Sequence, residues 1–99
     1  MLYAVIGRDV DGALPRRRAA RAAHLARIQA LSEAGRLVAA GPMPAIDAPD
    51  PGPAGLVGSL IVAEFASLAE ASAWADADPY ATGGVYASVE VRPFIQVAP

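Results

Sequence analysis

The sequence predicts an α+β fold with one antiparallel sheet, and three observations support this. Four short apolar runs are bounded by glycine, proline or aspartate, as strands commonly are. Two longer, alanine-rich stretches have helical spacing and helix-end signals. Along the chain these segments follow the order β-α-β-β-α-β. This order is typical of the ferredoxin-like fold, in which a four-stranded antiparallel sheet carries both helices on one face.

The first half of the chain contains a strand, the main helix and a second strand. Residues 2–7 form an apolar run that ends in the turn sequence RDVDG. Residues 15–34 have the pattern of a long helix, because proline is favourable in the first turn and Gly35 is a common helix terminator. Residues 36–43 then predict a strand that closes at a Gly-Pro pair. We expect Leu25, Ile28 and Leu31, spaced by three, to form the buried stripe of the helix.

A segment rich in proline and glycine separates the two central strands. It covers residues 44–58, about fifteen residues with no periodic pattern. A loop of this length in a small domain is often a functional flap. The alternative is a disordered tether between two strands.

The second half supplies the other helix and two more strands. Residues 59–65 are an apolar run, and Ser67 with Glu70 three residues later predicts a capping box for a helix that ends near Ala77. Residues 85–97 alternate apolar and polar side chains, which predicts a strand with one buried and one polar face.

Composition indicates one domain, residues 1–99, and excludes several classes of function. Eight arginines, no lysine and ten acidic residues give a net charge of −2, which disfavours duplex nucleic acid as a partner. There is no cysteine, so there is no disulfide framework, and one histidine with scattered acids does not supply the ligand set of a metal site. No apolar run approaches the roughly 20 residues of a membrane span, and the first residues lack signal-peptide features. We expect a cytoplasmic protein without a cofactor.

One face of the predicted sheet would remain uncovered. The first and third strands are apolar on both faces, whereas the two helices cover one face alone. A bare apolar face would be an exposed patch of several hundred Å². The simplest cover is a second copy of the sheet, so we expect a homodimer.

His24, the one histidine, is the first candidate for chemistry. It shares a helix face with Arg17 and Arg21, at positions i, i+4 and i+7. Four of the eight arginines lie between Arg16 and Arg21, and they could attract an anionic ligand toward His24. The alternatives are a half-buried structural histidine and a solvated arginine face that pairs with Asp9 and Asp11.

Asp78 is the second candidate. Pro79 excludes Asp78 from the preceding helix, and Asp-Pro turns are also common without any chemistry. Ser59 could complete a Ser-His-Asp triad, but no nucleophile-elbow sequence surrounds it. Tyr80 can be a packing residue, and Gly41 can serve backbone geometry alone.

The chain resembles the YCII-related domain family, also called YciI-like proteins. The resemblance extends nearly from end to end. It is carried by the segments MLYAV, RAAHLARIQAL, GRLVAAGPMPAID, GLVGSLIVAEF, AWADADPY and GVYASVEVRPF. It implies a ferredoxin-like fold that dimerises as an α+β barrel, and a site centred on a histidine and an aspartate, here His24 and Asp78. We expect this pair to meet on the open side of the sheet, surrounded by four candidate substrate-binding residues: Arg21, Gly41, Ser59 and Tyr80.

Two functions remain open on this basis. The first is cofactor-free acid/base chemistry, an isomerisation or elimination, on a small cyclic or aromatic anion. The second is non-catalytic binding of a small ligand by a dimeric accessory protein. Because dimeric α+β barrels also include haem-binding monooxygenases, a haem protein with His24 as axial ligand is a third possibility, and the fold alone does not choose among them.

Overall fold

The computed structural model describes all residues, 1–99, and has an α+β fold with a four-stranded antiparallel sheet. The strands are β1 (Leu2–Asp9), β2 (Leu37–Pro44), β3 (Leu56–Glu64) and β4 (Tyr86–Phe94). The helices are α1 (Leu14–Glu33), α2 (Leu68–Asp76) and α3 (Pro79–Thr82). The strands lie in the order β2-β3-β1-β4 and all neighbours are antiparallel. This confirms the predicted ferredoxin-like arrangement, and no helix is both long and apolar enough to cross a membrane.

Local signals in the sequence placed most helix ends within one residue. Ser67 caps α2 as predicted, because its hydroxyl accepts a hydrogen bond from the Glu70 amide at 3.1 Å. The short helix α3 was not predicted and stands where the sequence indicated a turn. The segment between β2 and β3 is shorter than predicted, since β3 begins at Leu56 and the Ala45 amide already bonds Gly55. This segment includes a 3₁₀ turn, Gly52–Ala54.

The hydrophobic core lies between the helices and one face of the sheet. Its buried members are Tyr3, Val5, Leu31, Ile61, Ala63, Phe65, Ala71 and Ala75. The buried residues of α1 are Arg17, His24 and Leu31, which are spaced by seven and therefore share one face. The prediction that Leu25 belongs to the buried stripe was wrong, because its side chain is turned about 100° away from His24 and is 41% exposed.

The alternation predicted for β4 is interrupted at its start. The register between β1 and β4 shifts between Arg8 and Asp9, so that Asp9 pairs with Tyr86. As a result the Tyr86 ring lies on the helix-covered face, above Gly7, where a Cβ atom would overlap it. The prediction that Tyr86 lies on the polar face of β4 was therefore wrong, because a bulge reverses the face that the preceding side chains occupy.

The opposite face of the sheet carries apolar side chains that no helix covers. Ile6 pairs with Leu60 and Ala4 with Val62 across the two central strands. Leu60 is 39% exposed on this face, which leaves it available to a partner surface.

Candidate functional site

His24 and Asp78 form a buried contact between α1 and the start of α3. The His24 Nδ1 atom lies 2.8 Å from Asp78 Oδ1 and 2.9 Å from Asp78 Oδ2. An ionised carboxylate can only accept hydrogen bonds, so Nδ1 carries the proton and donates it. In the neutral imidazole the other ring nitrogen, Nε2, then holds the lone pair that a general base requires.

The backbone around Asp78 holds its carboxylate in place. The residue has an extended conformation, with φ −61° and ψ 135°, as expected directly before a proline. Its Oδ1 atom accepts a hydrogen bond from the Tyr80 amide at 2.8 Å and so caps α3. Arg27 supplies a cation 3.9 Å from Oδ2, and its guanidinium packs on the Trp74 ring. Asp78 is therefore both a turn residue and the partner of the histidine.

Tyr80 fixes the plane of the imidazole. The two rings are stacked with centroids 3.8 Å apart and an interplanar angle of 10°. Burial raises the pKa of the Tyr80 hydroxyl, although Arg17 and Arg21 partly oppose this effect. The phenol is thus neutral at physiological pH and can donate a hydrogen bond.

A second polar cluster lies beside this pair and consists of Arg17, Asp9 and Ser59. Arg17 donates from Nε to Asp9 Oδ2 at 2.6 Å and from Nη2 to Asp9 Oδ1 at 2.9 Å. The same Nη2 atom donates to the Ser59 hydroxyl at 2.9 Å. Burial lowers the pKa of Arg17, but the hydrogen bonds and the charge of Asp9 outweigh it and raise the pKa above its ordinary value. The sequence predicted Asp9 as a partner, but Arg17 is buried rather than solvated.

Tyr86 borders this cluster and was not predicted as a site residue. Its ring meets Tyr80 edge-on at 5.8 Å. Burial raises the pKa of Tyr86 to about 12, with the Ser59 hydroxyl acting in the opposite direction. Ser59 itself makes no hydrogen bond to His24, so the two residues do not form the nucleophile–base contact of a triad.

A cavity of about 430 Å³ opens in front of His24, between α1 and strands β2 and β3. Its lining comprises Leu14, Arg17, Arg18, Arg21, His24, Leu25, Ile28, Ala40, Gly41, Pro42, Leu56, Ser59, Ile61 and Tyr80. Three of these residues are arginines and none is acidic. The size is that of a small-molecule pocket, and its polar groups are few and specifically placed.

The chain matches known proteins along almost its whole length. The model of the YCII-related domain matches residues 1–95. The chain belongs to the YCII-related domain family. Protein YciI of Escherichia coli O6:H1 and protein YciI of Shigella flexneri are each 55% identical over 97 residues, covering 98% of this chain and 99% of theirs. An uncharacterized protein of Haemophilus influenzae is 45% identical over the same share of both chains.

A solved structure shares the fold of this family member. It is the 5-chloro-2-hydroxyhydroquinone dehydrochlorinase of Burkholderia phenoliruptrix, in complex with 2,5-dihydroxybenzoquinone. The TM-score is 0.84 and the sequence identity 25%, over 96% of this chain and 94% of that one. A neighbour that is an enzyme with a bound small molecule fits a small-molecule enzyme or binder.

The structure locates each candidate residue of this YCII-related domain. His24, Arg21, Gly41, Ser59 and Tyr80 all line the cavity, and the Asp78 carboxylate lies behind the His24 ring. Gly41 contributes an open position, since a Cβ there would meet no atom within 4 Å.

The expectation that the pair meets on the open side of the sheet was wrong. Because α1 and α3 both pack on the covered face, His24 and Asp78 meet beneath the helices.

Sequence reasoning did not identify Tyr86 as a site residue. The one signal for it was Gly7 in β1, which leaves room for the Tyr86 ring on the paired strand. Sequence reasoning also treated Arg17 as a charge that attracts an anion or pairs with Asp9 on a solvated face, and did not predict the buried cluster that the two residues form with Ser59.

Proposed function

We propose that this protein is a small cofactor-free enzyme in which His24 acts as a general base and Asp78 orients it. The observation that carries the proposal is the bond from His24 Nδ1 to the Asp78 carboxylate, because it directs the Nε2 lone pair away from Asp78. Nε2 has no hydrogen-bond partner in the protein. The single side-chain nitrogen or oxygen that is both buried and unpartnered is Arg27 Nη1, so Nε2 is accessible to solvent. It therefore reaches the cavity.

The charge of the cavity supports a small anion as substrate. Arg17, Arg18 and Arg21 line it, whereas Asp9 and Asp78 lie behind the lining and are occupied by Arg17 and His24. At physiological salt a charge is screened over about 8 Å, so these arginines act on a ligand more strongly than the net charge of the whole chain. Arg21, Gly41, Ser59 and Tyr80 are the proposed substrate-binding residues.

The proposed reaction class is proton abstraction followed by isomerisation or elimination. His24 Nε2 takes a proton from the bound substrate. In an isomerisation the electron pair left behind moves within the substrate and the imidazolium returns the proton to another substrate atom, whereas in an elimination the electron pair expels a leaving group. The imidazolium that forms is stabilised by Asp78, which is already hydrogen-bonded to it. The named reaction of the structural neighbour, a dehydrochlorination of a hydroxylated ring, is an elimination of this kind.

We also propose that the single domain works as a homodimer. The apolar face that carries Ile6 and Leu60 has no helix over it, and a second copy would bury the part that remains exposed. The cavity lies on the other side of the sheet, so this association would leave the access to His24 open.

An unbiased screen of metabolites tests the proposal. Turnover of a small cyclic or aromatic anion supports the enzyme, whereas a rise in melting temperature without turnover supports the alternative, a non-catalytic ligand-binding or accessory protein. A separate haem titration tests the third possibility, because a shift of the Soret band that His24→Ala abolishes would assign His24 as an axial ligand instead of a base.

A further inference from the structure

We propose that Arg17 anchors an ionised oxygen of a cyclic ligand, and that Asp9 holds its guanidinium in position for this contact. The inference rests on the proposed function in one respect, that the cavity beside His24 is the ligand site. It adds the residue that selects the ligand and the chemical class of that ligand: a planar, six-membered ring with an acidic hydroxyl, bound as its anion.

The hydrogen bonds of Arg17 leave one donor group free. Nε and Nη2 are occupied by Asp9 and Ser59, and the Tyr80 hydroxyl also interacts with the guanidinium, whereas Nη1 donates no well-aligned hydrogen bond within the protein. Nη1 of Arg17 is not sealed from solvent, because Arg27 Nη1 is the single buried side-chain nitrogen or oxygen without a partner. Since Arg17 lines the cavity, we infer that Nη1 opens into it. The residue as a whole is 5% exposed. A buried cation with one open donor in an apolar-walled cavity is suited to a single, charge-assisted contact with an anion.

Asp9 makes such a contact possible without rotation of the guanidinium. Its two oxygens bind Nε and Nη2 as a fork, which fixes the plane of the guanidinium before any ligand arrives. Arg18 and Arg21 differ, because both are exposed and have no hydrogen-bond or ion-pair partner in the protein. Arg18 and Arg21 can attract an anion to the cavity, whereas the fixed guanidinium of Arg17 can select the orientation of that anion.

The relation between Arg17 and His24 limits the size of the ligand. The two residues lie two turns apart on one face of α1 and both pack against Tyr80, with the Arg17 Cζ atom 4.9 Å from the Tyr80 centroid and the His24 centroid 3.8 Å from it. The Arg17 Cζ atom and the His24 centroid are therefore at most 8.7 Å apart, so a ligand that touches both Nη1 and Nε2 can be small. A single ring with oxygen substituents on opposite sides has this size, and Ile28 and Ile61 line the cavity as apolar contacts for it.

Titration calorimetry with 2,5-dihydroxybenzoquinone tests the inference on the full chain. Its hydroxyls are vinylogous acids that ionise below neutral pH, and 2,5-dimethoxybenzoquinone is the uncharged control. The wild-type chain has no cysteine and no lysine to which a quinone could add, and Arg8→Lys controls for the one lysine that Arg17→Lys introduces. Arg17→Met alone would leave Asp9 buried without a partner and risks unfolding. The variants are therefore Arg17→Lys, and Asp9→Asn combined with Arg17→Gln, with the exposed Arg8→Lys as the matched control.

We expect the wild type and Arg8→Lys to bind the dihydroxy compound and not the dimethoxy compound. A lysine cannot serve Asp9 and the ligand together, so Arg17→Lys should weaken binding roughly 10- to 100-fold, as should the double variant. Unchanged affinity in both folded variants, or equal binding of the two quinones, would overturn the inference. So would an absence of binding by the wild type.

His24→Ala separates this inference from the proposed function. If it retains binding of the dihydroxy compound and Arg17→Lys does not, Arg17 is the anchor whether or not the protein is an enzyme. If a substrate is turned over with equal KM by the wild type and Arg17→Lys, the enzyme stands and the anchor is refuted.

Discussion

The imidazole of His24 and the carboxylate of Asp78 are joined through Nδ1 at 2.8 and 2.9 Å, although 54 residues separate them in the chain. Asp78 uses Oδ1 at the same time to cap α3 through the Tyr80 amide. Tyr80 in turn stacks on the imidazole. A short sequence, Asp-Pro-Tyr, thus supplies the acceptor, the backbone bend and the ring that together fix one tautomer of His24.

Asp78→Asn should change that tautomer. An ionised carboxylate can only accept, whereas an asparagine amide can also donate, so the constraint that keeps the proton on Nδ1 is lost. Asparagine remains a good N-cap, and α3 should persist. Nitrogen-15 NMR of the neutral ring should show Nδ1–H in the wild type and a raised population of Nε2–H in Asp78→Asn.

Asp76→Asn is the control for this measurement, since it removes an exposed acid two residues away and should leave the spectrum unchanged. Identical tautomer populations in the wild type and in Asp78→Asn would show that Asp78 does not orient His24.

Tyr86 should make stability fall in strongly alkaline solution. Burial raises its pKa from 10.0 to about 12 in the folded chain, so between these pH values the unfolded chain loses a proton that the folded chain retains. The free energy of unfolding therefore decreases as the pH rises through this window. Chemical denaturation at several pH values should show this decrease in the wild type and a smaller one in Tyr86→Phe. Equal slopes in the two proteins would mean that Tyr86 is not buried in this way.

Gly7→Ala should destabilise the fold and displace the Tyr86 ring. A Cβ at this position would overlap the ring, and overpacking of this kind costs about 1–3 kcal/mol. We expect a melting temperature lower by at least ~4 °C. Gly41→Ala is the matched control, because a Cβ there meets no atom within 4 Å. A melting temperature equal to that of the control would refute the close packing of Tyr86 on β1.

The uncovered sheet face should bring two chains together. Light scattering coupled to size exclusion should give about twice the chain mass of 10.1 kDa at micromolar concentration. Leu60→Glu places a charge on this face and should shift the mass toward one chain. Leu68→Glu, on an exposed position of α2, is the control and should remain dimeric. A wild-type monomer would contradict the assignment of this face as an interface.

Local rules predicted the parts of the fold that depend on neighbours in the chain. The cap at Ser67, the end of α1 before Gly35 and the order of the elements all follow from residues a few positions apart. The bulge opposite Asp9 does not, because it is a property of two paired strands. A period-two pattern therefore assigned Tyr86 to the wrong face.

The site was predictable in part for the same reason. Asp78 could be excluded from α2 because of Pro79, but its contact with His24 was expected from a resemblance and not from spacing. The Arg17 cluster joins residues 8 and 42 positions apart, and charge patterns alone suggested a solvated helix face. Burial converts that arginine from a surface charge into a fixed donor, and burial depends on the whole fold.

The double-mutant cycle of His24 and Asp78, measured on the first substrate from the metabolite screen, tests the central claim most directly. His24→Ala should lower kcat about 10²- to 10⁴-fold, the usual share of a positioned general base, while circular dichroism shows a folded protein. Asp78→Ala added to it should cost little more, because residues that act as one unit are not additive. Full activity in His24→Ala would contradict the account and leave His24 as a structural histidine.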